Sequence, residues 1–201
     1  MTVEHPTDPA ALATVIYLHG FRSSKASIKA RELASYMALK GPELTFWCED
    51  LPISPKAAIR EIEEILKVAG SKALLVGSSL GGYYATYLAE RHGRSAVLIN
   101  PACRAAELLA PWVGLHQNLY SGLEFELTPQ HIEELNDLFV QRLTDPGRFR
   151  VFLETGDEVL DYREAVERYA GARITVIEGG SHGLESFKDH LPEILSLARS
   201  L

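Results

Sequence analysis

The chain has 201 residues, 46% of them hydrophobic, with a formal net charge of −7 and two cysteines. This length and apolar fraction are typical of one globular domain, and an acidic chain without a cluster of Lys and Arg argues against nucleic acid or an anionic membrane surface as a partner. No apolar run is long enough to span a membrane, the first eleven residues lack the apolar stretch of a signal peptide, and neither cysteine belongs to a CxxC pattern. We therefore expect a cytoplasmic, single-domain protein over residues 1–201 with free thiols.

Short apolar runs alternate with amphipathic stretches along the chain. The predicted strands lie at 14–18, 44–48, 72–76, 96–99, 150–153 and 174–177. The predicted helices lie at 27–39, 54–68, 79–92, from Asp161 onward in a capping-box pattern with Glu164, and at 184–200 with Pro192 as a kink or start. Six strands separated by helices predict an α/β fold: an open, mostly parallel six-stranded sheet with helices on both faces.

One interval, residues 103–147, interrupts this alternation. It leaves the end of one predicted strand and returns to the next, so it is expected to cover the edge where the strands end. Within it, an amphipathic helix is predicted at 129–143. We interpret residues 103–147, hereafter the cap segment, as a small helical cap inserted in the domain; an ordinary long crossover is the alternative.

The most informative motif is Gly-Ser-Ser-Leu-Gly at residues 77–81, which lies between a predicted strand and a predicted helix. A strand, then G-x-S-x-G, then a helix is the context of a nucleophile elbow. The turn is too tight for Cβ atoms at Gly77 and Gly81, and it places Ser79 in a strained conformation at the sheet edge. The sequence therefore predicts Ser79 as a nucleophile, the alternative being a Gly/Ser-rich turn.

A serine nucleophile needs a base, and on such a sheet the expected chain order is Ser, acid, His. His182 follows the last predicted strand and is flanked by glycines, so we predict it as the base. The acid is expected after strand 150–153, where Asp157 follows a glycine; Glu158 and Asp161 are the alternatives. Glu154 is set aside because it lies too close to the strand.

Two backbone N–H groups are needed to stabilise the oxyanion of a tetrahedral intermediate. Leu80, directly after the nucleophile, is expected to supply one, and Phe21 in the loop after the first strand is expected to supply the other. His19 in the same loop is interpreted as structural. Three cations could touch an acidic substrate group, although a solvated position is favoured for them: Arg22, Lys25 and Lys29.

These segments resemble the α/β-hydrolase superfamily and, more narrowly, the small bacterial YqiA/YcfP-like esterases. The resemblance rests on YLHGFRSSKASIKA (17–30), GSSLGGYYATYLAE (77–90), INPA (99–102), TGDEVLDYREAV (155–166) and EGGSHGLESF (178–187). It implies a compact hydrolase acting on short-chain acyl esters or thioesters, with a catalytic triad of Ser79, Asp157 and His182.

The leading hypothesis is a serine esterase that acts on small-molecule acyl esters and needs no metal or organic cofactor. Alternatives are a thioesterase or another acyl-transfer enzyme with the same triad, and a non-catalytic binding module on a hydrolase fold. We predict that Tyr83, Trp112 and Tyr120 contact substrate. Apolar side chains of the cap segment could line an acyl pocket or only hold the segment onto the core: Trp112, Leu115, Tyr120, Phe125 and Phe139.

Overall fold

The computed structural model describes residues 12–201, so the expectation for the first eleven residues lies outside it. The strands of the described chain are β1 (Thr14–Leu18), β2 (Thr45–Trp47), β3 (Ala73–Ser78), β4 (Ser95–Ile99), β5 (Gly114–Gln117), β6 (Glu124–Leu127), β7 (Phe149–Glu154) and β8 (Arg173–Ile177). The helices are α1 (Ile28–Lys40), α2 (Pro55–Ala69), α3 (Leu80–His92), α4 (Ala105–Leu109), α5 (Pro129–Asp137), α6 (Tyr162–Arg168) and α7 (Phe187–Arg199).

Six of these strands form one parallel sheet in the order β2-β1-β3-β4-β7-β8, which confirms the predicted fold class. Each overlaps one of the six predicted strands. Because β1 has β2 on one side and β3 on the other, the chain leaves β1 and β3 in opposite directions across the sheet. The loops after β1 and β3 therefore meet at a topological switch point, where open α/β sheets bind ligands.

Successive side chains along each strand are buried on opposite faces of the sheet. Ile16, Leu75 and Leu98 belong to the core that packs against α2, α3 and α6. Val15 and Val97 belong to the core that packs against α1 and α7. Burial on both faces explains why these strands are near-continuous apolar runs and not alternating ones.

The cap segment contains more than the predicted helix. It comprises α4, the antiparallel hairpin β5–β6 and α5. Helix α5 ends at Asp137, six residues before the predicted end at 143, because Asn136 and Asp137 are poor helix formers. Leu138 and Leu143 continue the apolar spacing, but they reach the core from irregular chain.

Two of the helix predictions depended on a single residue each: Asp161 at the start of α6, and Pro192 as a kink or start of α7. Asp161 is the N-cap of α6, and its carboxylate accepts hydrogen bonds from the amide and guanidinium of Arg163. Pro192 lies inside α7, which begins at Phe187, so Pro192 is not the start of that helix.

No helix among residues 12–201 combines the length and the apolar character needed to cross a bilayer.

Candidate active site

Ser79 lies in a sharp turn between β3 and α3, with φ 55° and ψ −119°. Positive φ is strained for a residue with a side chain. Two backbone hydrogen bonds stabilise this conformation. The Ser79 amide donates to the Ile99 carbonyl (3.0 Å), and the Ala102 amide donates to the Ser79 carbonyl (3.1 Å). Ser79 thus has the backbone conformation of an elbow.

The two glycines of the motif are required for different reasons. A Cβ on Gly77 would collide with the backbone of Gly81 across the turn. A Cβ on Gly81 would instead collide with the carbonyl of Leu18 at the end of β1. The second glycine therefore lets α3 approach the neighbouring strand, a contact that local sequence does not reveal.

The imidazole of His182 is hydrogen-bonded to Asp157, with 2.8 Å between Nδ1 and Oδ2. The Asp157 side chain is only 2% exposed, and its Oδ1 accepts the amides of Val159 and Leu160 at 2.8 Å each. Burial raises the pKa of Asp157, but the hydrogen bonds from His182, Leu160 and Val159 outweigh it and leave the pKa below its usual range. An ionised Asp157 can only accept, so Nδ1 of His182 donates to it, and the neutral tautomer with this bond has no proton on Nε2.

The two other candidate acids lie close by but do not touch the ring. Glu158 is exposed and accepts the backbone amide of His182 at 2.9 Å. Asp161 is occupied as the cap of α6. Of the three carboxylates considered, Asp157 is the one that the fold brings to the imidazole.

The two predicted oxyanion donors also lie at the site. Gly20 is so close to the elbow that a Cβ on it would lie 3.2 Å from the Ser79 Cβ. Among the described residues, the amides of Phe21 and Leu80 find no hydrogen-bond acceptor. Unpaired amides beside a nucleophile are what an oxyanion hole requires.

His19 serves this loop as a support. It is buried, and its Nε2 accepts the amide of Leu51 at 3.0 Å. Burial lowers its pKa, which keeps the ring neutral and able to accept that bond. The interpretation of His19 as a structural residue agrees with this geometry.

Two cavities open from residues 19–24, the loop after β1 that is expected to carry one oxyanion donor and is called the oxyanion loop below. The smaller has a volume of about 60 Å³, and Phe21 and Leu80 are part of its wall. Most of its other lining residues are apolar, and they come from both the cap segment and the chain outside it: Leu51, Tyr84, Leu109, Phe125, Leu127 and Leu135. We call it the apolar cavity.

The second cavity is larger, about 440 Å³, and it contains Ser79 and His182. Its charged lining residues are Lys29, Glu32, Glu185 and Lys188. We call it the polar cavity. The oxyanion loop therefore lines both cavities, whereas Ser79 lines only the polar one.

The three predicted substrate contacts have different places. Tyr120 lines the polar cavity together with Ser79. Trp112 is half exposed, its ring 6.0 Å from that of His116, and it lines neither cavity. Tyr83 is buried, donates its hydroxyl to the Leu135 carbonyl at 2.8 Å and also lines neither cavity, so it serves to dock α5.

The hairpin of the cap segment is attached directly to the oxyanion loop. The Leu119 amide donates to the Arg22 carbonyl (2.8 Å), and the Arg22 guanidinium donates to the Gln117 carbonyl (3.0 Å). The ring of Phe21 packs edge-on against Phe125, with 5.7 Å between centroids. Movement of the hairpin would therefore also move the loop that carries Phe21.

Lys25 and Lys29, the other two cations considered, also form polar contacts. Lys25 pairs with Glu49 at 2.5 Å on the surface, away from both cavities. Lys29 lines the polar cavity and donates to the Gly183 carbonyl at 2.6 Å.

Neither cysteine offers a competing nucleophile. Cys48 and Cys103 are free, and burial raises the pKa of each thiol to about 12. A thiol with such a pKa stays protonated at neutral pH. Residues 12–201 contain no group of three or more His, Cys, Asp or Glu arranged to hold a metal ion.

Sequence reasoning missed two residues at this edge. Asn100 follows β4 and Glu154 ends β7, and both are buried and hydrogen-bonded to the loop that carries His182. A polar residue directly at the carboxyl end of a buried strand was the signal that could have found them.

The parallel sheet, the strained Ser79 elbow and the loop order around it define an α/β-hydrolase fold. A family model, described as an uncharacterised protein family (UPF0227), matches residues 14–199, and the chain belongs to that family. This confirms the superfamily that the sequence motifs resemble.

Solved structures share the fold at low identity. A protein from Agrobacterium vitis S4 assigned as a hydrolase is 20% identical, with a TM-score of 0.74 over 94% of this chain and 88% of that one. Mouse alpha/beta hydrolase domain-containing protein 10 is 18% identical, with a TM-score of 0.69 over 93% and 90%. The monoacylglycerol lipase of Paleococcus ferrophilus is 16% identical, with a TM-score of 0.68 over 93% and 94%.

Proposed function

We propose that this protein is a serine esterase that hydrolyses short-chain acyl esters through an acyl-serine intermediate. The observation that carries the proposal is the hydrogen-bonded pair of His182 and Asp157 in a site that also contains Ser79 in an elbow conformation. The monoacylglycerol lipase among the structural neighbours acts on an ester, which makes ester hydrolysis a chemistry that this fold accommodates.

In the proposed reaction, the Ser79 Oγ attacks the ester carbonyl while its proton moves to His182 Nε2. The carbonyl oxygen becomes an oxyanion, which accepts hydrogen bonds from the Phe21 and Leu80 amides. His182 then gives the proton to the departing alcohol, and the acyl group stays on Ser79. A water molecule deprotonated by His182 attacks this ester. As the bond between the acyl carbon and Ser79 Oγ breaks, His182 returns the proton to Oγ and the acid leaves. Asp157 stabilises the imidazolium in both halves without becoming protonated.

The apolar cavity is the proposed acyl site. A volume of 60 Å³ corresponds to about four to six water-sized spheres, which suits a short acyl chain. Its lining by Leu80, Leu109 and Leu135 favours a saturated hydrocarbon over a polar group. The leaving alcohol then occupies the polar cavity.

Acyl thioester hydrolysis is a second candidate, favoured by the size difference between the cavities. The polar cavity, at 440 Å³, accepts a larger leaving group than a simple alcohol, and its Lys and Glu side chains suit a polar one. The same residues would act in the same order, with a thiol leaving in place of the alcohol. The two free cysteines agree with a reducing compartment such as the cytoplasm.

The experiment compares p-nitrophenyl acetate, butyrate and octanoate with the matching acyl-CoA esters, using the wild type and Ser79→Ala. Turnover of short esters by the wild type alone supports the esterase, whereas preference for acyl-CoA supports the thioesterase. Equal background rates for the two proteins on every compound would contradict both, and would favour a binding module.

A further inference from the structure

Glu154, the last residue of β7, is bound by the loop that carries His182. It is 1% exposed, and its carboxylate accepts four hydrogen bonds from that loop. The donors are the amides of Ser181 (2.8 Å), Glu185 (2.9 Å) and Ser186 (2.8 Å) and the hydroxyl of Ser186 (2.7 Å). They flank the proposed base on both sides.

These bonds keep the buried carboxylate ionised. No Lys or Arg among residues 12–201 forms an ion pair with Glu154, although the charge of Lys29 interacts with it at longer range, so its direct partners are neutral donors. Burial raises its pKa, but the hydroxyl and amide of Ser186 and the amides of Ser181 and Glu185 outweigh burial and hold the pKa below its usual range. An ionised carboxylate accepts only, which matches four donors.

Asn100 fixes the same loop from the neighbouring strand. Its Oδ1 accepts the Glu154 amide at 3.1 Å, and its Nδ2 donates to the carbonyls of Ser181 (3.1 Å) and His182 (3.2 Å). Gly180, with φ 69°, passes so close that a Cβ on it would collide with the Glu154 carboxylate. The backbone around His182 is therefore bound through both its amides and its carbonyls.

We propose that Glu154 is a positioning residue for the proposed base. Asp157 fixes the ring of His182, and Glu154 fixes the backbone from which that ring projects. Glu154 lines neither cavity and touches no part of the proposed reaction, so it acts only through the loop. The kinetic consequences rest on the proposed function, but the His182–Asp157 hydrogen bond can be measured without any substrate.

The central test is Glu154→Gln, which replaces one acceptor oxygen with a donor that faces loop amides. We expect kcat for p-nitrophenyl butyrate to fall by about 10²-fold with KM close to wild type, because a displacement of about 1 Å at a base has that effect. We also expect the low-field proton resonance of His182 Nδ1–H to disappear. Glu178→Gln is the matched control, because Glu178 is exposed on the same loop and its carboxylate accepts no hydrogen bond in the described structure.

A second pair of variants keeps the proposal testable if Glu154→Gln does not fold. Ser186→Ala removes one of the four donors, whereas Ser186→Thr retains the hydroxyl. We expect Ser186→Ala to lower kcat by about tenfold and Ser186→Thr to restore most of it.

The possible results separate the two proposals. A folded Glu154→Gln protein, or a folded Ser186→Ala protein, with wild-type kcat and an unchanged His182 resonance would overturn the positioning role. If the wild type hydrolyses none of the esters or thioesters but Glu154→Gln still abolishes the resonance, the proposed function fails and the positioning role stands.

Discussion

His182 and Asp157 are 25 residues apart in the chain, yet Nδ1 and Oδ2 lie 2.8 Å apart. The contact follows from the register of β7 and β8, which pairs Glu154 with Ile177. Asp157 lies three residues beyond the first and His182 five beyond the second. Because β7 and β8 are parallel neighbours, the loops that follow them, which carry Asp157 and His182, lie side by side at one edge of the sheet.

Replacing Ser79 by Ala should remove nearly all ester hydrolysis and leave the fold intact. Loss of a triad nucleophile commonly costs a factor on the order of 10⁶ in kcat. The positive φ of Ser79 is no more strained with Ala than with Ser, so the thermal melt should change little.

Labelling by a fluorophosphonate gives the independent readout for Ser79. One equivalent should attach to the wild type, map to Ser79 by mass spectrometry and be absent from Ser79→Ala. Attachment at Ser78 or Ser181 would show that the nucleophile is misassigned.

Asp157→Asn should damage turnover far more than Asp161→Asn. The first change leaves His182 in the wrong tautomer and should cost about 10⁴-fold in kcat. The second weakens the cap of α6 and should cost about 1 kcal/mol of stability. Rate measurements and melts on both variants decide the matter, and the reverse ranking of kcat would assign the acid role to Asp161.

Phe125→Ala should shift the acyl preference toward longer chains. Phe125 lines the apolar cavity and packs on Phe21, so its truncation enlarges the acyl site. One methylene in an apolar pocket is worth about 1–3 kcal/mol of discrimination, so the ratio of kcat/KM between octanoyl and butyryl esters should rise at least about tenfold.

Leu115→Ala is the control for that change, because Leu115 belongs to the same hairpin but is 78% exposed and lines neither cavity. Its ratio should match the wild type. Identical ratios for the two variants would mean that the apolar cavity does not hold the acyl chain.

Gly20→Ala should lower kcat with little loss of stability. The added Cβ would lie 3.2 Å from the Ser79 Cβ and 3.7 Å from its Oγ, which forces the nucleophile to shift by a few tenths of an ångström. We expect about a tenfold loss of kcat. Gly147→Ala introduces a similarly close contact, 3.2 Å from Asp145, away from the site, and it should leave kcat unchanged. Equal kcat in the two variants would argue against Ser79 as the attacking group.

The stabilising effect of Glu154 should depend on pH. Its folded-state pKa is lowered, so its contribution is complete above the unfolded-state value of about 4.3 and is lost as the pH falls through the folded-state value. The difference in unfolding free energy between the wild type and Glu154→Gln should be about 2 kcal/mol at pH 7 and should shrink below pH ~4. Urea unfolding of both proteins at several pH values measures it; a difference that does not vary with pH would mean that Glu154 is not ionised in the fold.

Local sequence was sufficient to predict those features whose structure depends on residues close together in the chain. The six strands, the strand-turn-helix context of Ser79 and the loop positions of Asp157 and His182 all follow from apolar runs and the glycines that interrupt them. The hairpin β5–β6 was missed because each strand has only four residues, although Glu124–Leu127 does alternate between polar and apolar. The end of α5 was missed because apolar spacing continues after the helix has stopped.

The sequence by itself determined the sheet, the elbow and the candidate triad, since strand periodicity and turn chemistry act over a few residues. Only the tertiary structure decided what surrounds them. Glu154 was set aside in the sequence because it lies too close to its strand. Its contacts could not be predicted locally, since its four donors lie 27 to 32 residues away in the chain. The apolar cavity likewise forms between segments that are distant in the chain: Phe125 of the cap segment packs on Phe21 of the oxyanion loop, and both residues line it. Such contacts depend on strand register and on how the cap segment docks, and neither is encoded in any short stretch of residues.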